Sequence, residues 1–291
     1  MTLGFVNVRS RFLERTGLDS TISRREVFLW IAFTLLANEI LQLVDAQIGD
    51  SLIIILGTQN YILWLAGYAF VYRLWLSSRE SPADRLDLWF AALTCLAISL
   101  VGFVPHRWGL GLIATAVAGY LMWAYRGDSN LRSAGGLMFA MSAHLVWGPI
   151  FFQLSTPEVV RGDAAIVGGL LKVLRPDILW RDTTFYAPNG HGLIIAGACS
   201  SFQNISIALL ACATVTMLSR PVWIKRDIGV IALATLAMIA INTARLCLLA
   251  WDHVSYEYWH NGDGAGIFLF IQTIVALAIA FWGATTGRQE A

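Results

Sequence analysis

The sequence predicts an all-α integral membrane protein with about eight transmembrane helices and one long extracytoplasmic loop between the fifth and sixth helices. Of its 291 residues, 57% are hydrophobic and only 13% are charged, about half the charged share of a soluble domain. Twelve Trp residues suit anchoring at the two interfaces of a bilayer. Eight apolar stretches approach the length of about 20 residues that a spanning helix needs. This composition excludes a soluble globular enzyme and a disordered chain.

The eight predicted spans place the whole chain, residues 1–291, in a single membrane domain. Residues 1–26 precede the first span, are polar and contain five Arg, so we expect them on the cytoplasmic side. The apolar run that follows is long enough to stay in the membrane, so we expect no cleavable signal peptide. In chain order, the predicted spans cover residues 27–47, 52–72, 86–105, 108–125, 133–153, 199–219, 227–251 and 265–283.

The basic residues predict the orientation of these spans. With the N-terminus in the cytoplasm, fourteen of the 20 Lys and Arg residues fall on the cytoplasmic side and five fall outside. This excess follows the positive-inside rule and places both termini in the cytoplasm. A net charge of +1 and the lack of a basic cluster give no case for nucleic acid as a partner.

The predicted extracytoplasmic loop covers residues 154–198 and is far longer than a simple connection. Within it, residues 163–174 carry apolar side chains at 166, 170, 171 and 174, a stripe that predicts a short helix lying at the membrane interface. The second part is rich in β-branched and aromatic residues around Pro188-Asn189-Gly190. That turn signal predicts a small β-hairpin that delivers the chain to Cys199 at the start of the sixth helix.

Arg245 is the one basic residue that lies inside a predicted span. It sits about six residues below the outer end of the seventh helix, roughly 9 Å deep. An arginine at that depth is expected to face a partner or a wet cavity, or to extend its side chain to the outer interface. Asn242 lies one turn earlier on the same face and is a candidate to hold the guanidinium.

Two further residues at the predicted outer face can carry proton transfer or nucleophilic chemistry. Cys199 stands at a predicted helix start, where the helix dipole favours the reactive thiolate; the alternative is an inert packing cysteine. His260 lies in the loop before the last helix, and imidazole suits proton transfer near neutral pH. Together with Arg245 these side chains make a workable set for acyl transfer.

Polar side chains around these three positions complete the set of candidates. Glu39, which accompanies Asn38 and Gln42 on the first helix, is a candidate counter-ion for Arg245, or it pairs with another helix inside the bundle. His191, like His260, is predicted to be outside. No His and carboxylate spacing of the HExxH type occurs, so we expect no metal and no cofactor.

Three short motifs resemble the exosortase/archaeosortase family. They are ACSS at 198–201, NTAR at 242–245 and HNGDG at 260–264, in this order on the last three helices. The similarity covers roughly residues 150–283, with residues 199–283 as the catalytic helices, and includes the preceding amphipathic segment and hairpin. It implies Cys199 as the nucleophile, Arg245 as the essential arginine and His260 as the acid/base. Gln203, close to the nucleophile in sequence, is a further candidate as a supporting residue.

One departure from the family pattern lies beside the nucleophile. The family commonly has a Gly two residues after the Cys, followed soon by a basic residue, whereas this chain has Ser201, Phe202 and Gln203. The departure bears on the recognised motif and the subfamily more than on the chemistry.

The resemblance implies a cysteine transpeptidase or protease of the bacterial inner membrane, with its active site on the periplasmic side. Its partners are then the lipid bilayer and exported proteins whose C-terminal sorting signals combine a short motif, a transmembrane helix and a basic tail. One alternative is a polytopic transporter or channel-like protein in which Arg245 and Glu39 line a path. Another is a non-catalytic scaffold for assembly of envelope polysaccharide.

Overall fold

The protein is described by a computed structural model that covers residues 22–46, 61–77, 82–101 and 108–286, except the side chains at positions 36, 39–46 and 108. Most of the predicted cytoplasmic segment 1–26 and the side chain of Glu39 therefore lie outside the described residues. The helices, in chain order, are α1 (Arg24–Ala46), α2 (Tyr61–Leu76), α3 (Arg85–Val101), α4 (Trp108–Ala124), α5 (Ser129–Ser142), α6 (Gly148–Leu174), α7 (Phe202–Ser219), α8 (Lys225–Trp251), α9 (His253–Tyr256) and α10 (Asp263–Thr286).

The helical membrane class predicted from composition is confirmed. Four helical stretches among the described residues are long and apolar enough to cross a membrane, namely 129–174, 202–219, 225–251 and 263–286. Each of the eight predicted spans overlaps a helix, but several of these helices are shorter than a full span. The number of eight transmembrane helices stays a prediction.

The fifth predicted span is the first place where the structure differs from the sequence-based expectation. A π-helical turn, Ala143–Trp147, joins α5 to α6, and the helical stretch continues to Leu174. The segment predicted as a loop from residue 154 therefore begins as helix, and the predicted separate interfacial helix is the end of α6. Pro157 lies inside α6 without ending it, although proline removes one backbone hydrogen bond.

The face that α6 buries also differs from the predicted stripe. The buried side chains recur at helical spacing at Val160, Ala164, Val167 and Leu171. Of the predicted stripe, Leu171 alone is buried, whereas residues 166, 170 and 174 are exposed. Apolar side chains occur on both faces of this helix because one face packs on protein and the other faces outward, so hydrophobicity alone does not identify the buried face.

A small antiparallel sheet follows α6. Its strands are β1 (Leu179–Arg181), β2 (Thr184–Tyr186) and β3 (Gly192–Ile194), in that spatial order. The turn between β2 and β3 contains Pro188-Asn189-Gly190, where the sequence predicts a hairpin, and Gly190 has a φ of +84°, which glycine adopts without strain. Strand β1 is an addition that the sequence analysis did not predict.

Three apolar clusters hold these elements together. The first joins α1, α2, α4 and α5, and the second joins α2, α7, α8 and α10. The third joins α6, the sheet and the end of α8, with Leu171, Phe185 and Leu249 all buried in it. Cys199, Tyr256 and Trp259 pack against this third cluster, which therefore positions the candidate site.

Candidate functional site

Cys199 ends a single 3-10 turn, Gly197–Cys199, between β3 and α7. Its backbone N–H donates to the Ala196 carbonyl at 2.9 Å, which closes the turn. The helix begins at Phe202 rather than at Cys199, so the prediction of a helix-start cysteine is wrong by three residues. The offset arises because Ser200, which follows the 3-10 turn, has an extended backbone with ψ of 156°, so α-helical hydrogen bonding starts only after it. The thiol is half-buried just ahead of the α7 N-terminus.

A buried carboxylate on α6 anchors the segment that carries this cysteine. Asp163 accepts the backbone N–H of Ser201 at 2.8 Å and the Ser201 hydroxyl at 2.6 Å. Only 6% of Asp163 is exposed, and Ser201 is the residue that precedes the first turn of α7. A carboxylate at a helix N-terminus satisfies free N–H groups and interacts favourably with the helix dipole. Asp163 thereby ties the Cys199 turn to α6.

Sequence reasoning did not identify Asp163 as a site residue. The signal available in the sequence was an acidic side chain at the start of an apolar segment, at helical spacing from the residues that α6 buries. Its partner Ser201 lies 38 residues away along the chain, so the contact depends on how α6 packs against α7.

Asn242 holds the same segment from the side of α8. It is 1% exposed, and its Nδ2 donates to the Cys199 carbonyl at 3.0 Å. Its Oδ1 lies 3.5 Å from Nδ2 of Asn204 on α7. The expectation that Asn242 holds the Arg245 guanidinium is therefore not met among the described contacts. The amide faces α7, because the packing of α7 on α8 places the Cys199 carbonyl within its reach.

Arg245 lies on the next turn of α8 and is half-buried. Its Nε is buried and has no hydrogen-bond partner within the described part of the chain. The side chain of the predicted counter-ion Glu39 lies outside the described part of the structure. A buried donor without an acceptor costs about 1–3 kcal/mol. Nε of Arg245 is therefore available to donate a hydrogen bond to an acceptor oxygen that enters the site.

Two further polar candidates, Asn38 and Gln203, lie on α1 and α7. Nδ2 of Asn38 lies 3.5 Å from the carbonyl oxygen of Ile98 on α3, which links α1 to α3. Gln203 is exposed near the start of α7.

His260 lies in a second π-helical turn, Glu257–Asn261, which joins α9 to α10. Its ring stacks on Tyr256 with the centroids 4.8 Å apart and the planes at 12°. Its Nδ1 lies 2.8 Å from Oδ1 of Asn261. Asp252 caps α9 by accepting the Ser255 N–H at 2.7 Å, and this hydrogen bond lowers the pKa of Asp252.

His191 is placed differently from His260. Its Nε2 lies 2.9 Å from the carbonyl oxygen of Leu249 near the end of α8, so Nε2 carries the proton. The ring also lies 5.6 Å from the Tyr256 ring, centroid to centroid. His191 therefore joins the β2–β3 turn to α8 and packs on the residue that supports His260.

The third apolar cluster gathers the elements that carry all three predicted catalytic residues. Cys199 packs on it directly, Leu246 beside Arg245 belongs to it, and Tyr256 beneath His260 lies at its edge. A thiol, a guanidinium and an imidazole are groups that can serve an acyl transfer through a thioester. Among the described residues, no group of three or more His, Cys, Asp or Glu side chains could hold a metal ion.

Comparison with known proteins relates this arrangement to one family. A family model described as transmembrane exosortase matches residues 58–277, a range that includes Cys199, Arg245 and His260. No curated protein and no solved structure gives a significant match. Because the match covers well over half of the chain, from before α2 into α10, the chain belongs to the transmembrane exosortase family.

Proposed function

We propose that this protein is a cysteine transpeptidase or protease that cleaves C-terminal, membrane-anchoring sorting signals. Its family acts on exported proteins that carry such signals. The observation that carries the proposal is the double attachment of the Cys199 segment, to Asp163 of α6 and to Asn242 of α8. A nucleophile must be held in one geometry to gain from proximity, and this attachment supplies that restraint.

Cleavage of the peptide bond uses the three candidate side chains one after another. His260 takes the thiol proton as the sulfur of Cys199 attacks the scissile carbonyl carbon, and Arg245 donates to the oxyanion that forms. The C–N bond then breaks as His260 returns the proton to the leaving amine, which leaves a thioester on Cys199. An acceptor amine or water attacks the thioester and restores the free thiol.

The bilayer supplies the substrate-binding geometry. The substrate's transmembrane anchor lies between the helices of the protein, so its scissile bond meets Cys199 at the membrane surface. The distribution of basic residues supports an orientation in the bacterial inner membrane with both termini in the cytoplasm and the site on the periplasmic face. Cleavage then follows export of the substrate.

The test is processing of an exported reporter that ends in a short motif, a transmembrane helix and a basic tail, taken from a protein of the same genome. We expect co-expression with the native protein to shorten the reporter and Cys199→Ala to abolish shortening, because no other group replaces the thiolate. Immunoblots of reporter and membrane fractions measure both. Cys95→Ala is the matched control and should process normally. Continued cleavage by Cys199→Ala protein would exclude the cysteine mechanism.

A further inference from the structure

The π-helical turn that carries His260 contains a chain of two side-chain hydrogen bonds. Oε2 of Glu257 accepts from Nδ2 of Asn261 at 2.9 Å, and Oδ1 of Asn261 lies 2.8 Å from Nδ1 of His260. The first bond joins residues four apart and the second joins neighbours. Single π-helical turns frequently occur at functional sites because they change which side chains share a face.

At neutral pH, only one assignment of donors and acceptors satisfies both of these hydrogen bonds. An ionised Glu257 only accepts, so the atom of Asn261 that faces it must be the NH2 group. The other end of the amide is then the carbonyl oxygen, which also only accepts. His260 must therefore carry a proton on Nδ1 to complete the chain, and in neutral imidazole the lone pair lies on Nε2.

The ring orientation is restrained as well as the tautomer. Tyr256 stacks on one face of the imidazole. The hydrogen bond from Nδ1 to Asn261 restrains the ring from turning about its side-chain bonds. Nε2 lies on the opposite side of the ring from Nδ1, so it points away from Asn261. The tautomer that the chain selects therefore leaves Nε2 free to exchange a proton with another group.

We propose that Asn261 and Glu257 are positioning residues that keep His260 in the Nδ1-protonated tautomer. This inference rests on the proposed function, in which His260 moves a proton between the Cys199 thiol and the leaving amine. Nε2 accepts the thiol proton, the imidazolium then donates through both nitrogens, and the bond from Nδ1–H to Asn261 strengthens. Nε2 returns the proton to the amine as the C–N bond breaks, and Nδ1 keeps its own proton throughout.

A merely structural role fits these two residues poorly. Both Glu257 and Asn261 are exposed, and neither belongs to an apolar cluster. Their substitution is expected to leave the fold and the amount of protein unchanged while it removes the restraint on His260. A free imidazole divides between two tautomers and several rotamers, so fewer molecules hold Nε2 ready for proton transfer.

The test uses the full-length protein in proteoliposomes and the purified reporter described above at a series of concentrations. We expect Asn261→Ala to lower kcat by about tenfold or more, as loss of oriented acid–base catalysis does, with KM changed by less than about twofold. Glu257→Ala should lower kcat less, because Asn261 keeps its bond to His260. The double variant Glu257→Gln with Asn261→Asp should recover kcat, because the glutamine donates to the aspartate, whose carboxylate still accepts from Nδ1–H.

Three controls separate the possible failures. Asp263→Asn changes a nearby acid that has no hydrogen bond to the His260 ring among the described contacts, and it should process normally. If the native protein processes the reporter, His260→Ala does not and Asn261→Ala keeps the native kcat, the positioning role is overturned while the proposed function stands. If kcat falls with Asp263→Asn but not with Asn261→Ala, Asp263 rather than Asn261 positions His260, and the proposal is overturned. If the native protein cleaves nothing, the proposed function itself fails.

Discussion

At the scale of single residues, the most informative side chain is one that the sequence analysis did not select. Asp163 is a buried acid whose two carboxylate oxygens both accept from Ser201. Burial of an unpaired carboxylate is costly, and two charge-assisted hydrogen bonds offset part of that cost. These two hydrogen bonds restrain the turn that presents Cys199.

We predict that Asp163→Ala destabilises the protein and slows processing. The substitution leaves the N–H and hydroxyl of Ser201 buried without an acceptor, which costs about 1–3 kcal/mol. The Cys199 turn also loses its attachment to α6. Thermal unfolding in detergent and the rate of reporter cleavage measure the two effects.

A matched control for Asp163 lies on the same helix. Glu158 has 77% of its side chain exposed and pairs with Arg161 at 3.4 Å. Exposed pairs of this kind contribute little to stability, so Glu158→Ala should leave both the melting temperature and the cleavage rate unchanged. Equal effects of the two substitutions would show that the attachment of Ser201 has no special weight.

At the scale of elements, the docking of the sheet on α6 depends on one close approach. The Trp180 ring of β1 lies so near Gly168 that a Cβ at this position would overlap it. Gly169, the next residue of the helix, has nothing within 4 Å of an added Cβ. The pair therefore allows helix propensity to be separated from packing.

We predict that Gly168→Ala destabilises the protein by about 1–3 kcal/mol, because Trp180 must shift and the sheet with it. Gly169→Ala should be neutral or stabilising by up to about 1 kcal/mol, since alanine favours helix over glycine. Thermal unfolding of the two single variants is the measurement. An equal gain from both would mean that the sheet is not packed on α6 at Gly168.

The elements also show where local patterns are insufficient. A turn signal at Pro188-Asn189-Gly190 was readable because these residues determine their own backbone geometry. The continuation of α6 past residue 154 was not readable from the sequence, because Pro157 and the polar residues around it resemble the end of a helix. Packing of Val160, Ala164 and Val167 on the third cluster stabilises the extended helix.

At the scale of the whole molecule, buried charges on the predicted cytoplasmic side link the helices. Arg25, Arg73 and Arg220 are each at most 6% exposed. Arg220 forms a bidentate pair with buried Asp227, which ties the end of α7 to the start of α8. Arg73 on α2 donates to the Met217 carbonyl of α7 and, at 3.1 Å, to Asn130. These basic residues, which the sequence analysis used only to predict membrane orientation, therefore also connect the helices of the bundle.

We predict that a membrane-impermeant thiol reagent added from the periplasmic side labels Cys199 and spares Cys95. Cys199 is half-buried outside the helices, whereas Cys95 lies within α3 and Cys212 and Cys247 are buried. Mass spectrometry of labelled spheroplasts measures the outcome, and Cys199→Ser is the control. Labelling of Cys199 that requires access from the cytoplasm would reverse the proposed orientation.

The sequence by itself determined the helical membrane class, and it supplied the predictions of charge sidedness and of the three residues proposed for catalysis. Hydropathy and charge are properties of each segment alone, and the motifs around Cys199, Arg245 and His260 are contiguous. These features need no knowledge of which helices touch.

The tertiary structure alone decided how the proposed nucleophile is held. Asp163 meets Ser201 across 38 residues, and Asn242 meets the Cys199 carbonyl across 43. Apolar stretches of similar composition can pack in many arrangements, so no local pattern selects these contacts. They form because α6, the sheet and the end of α8 pack in one apolar cluster, against which Cys199 also packs, and each buried polar group there must find a partner.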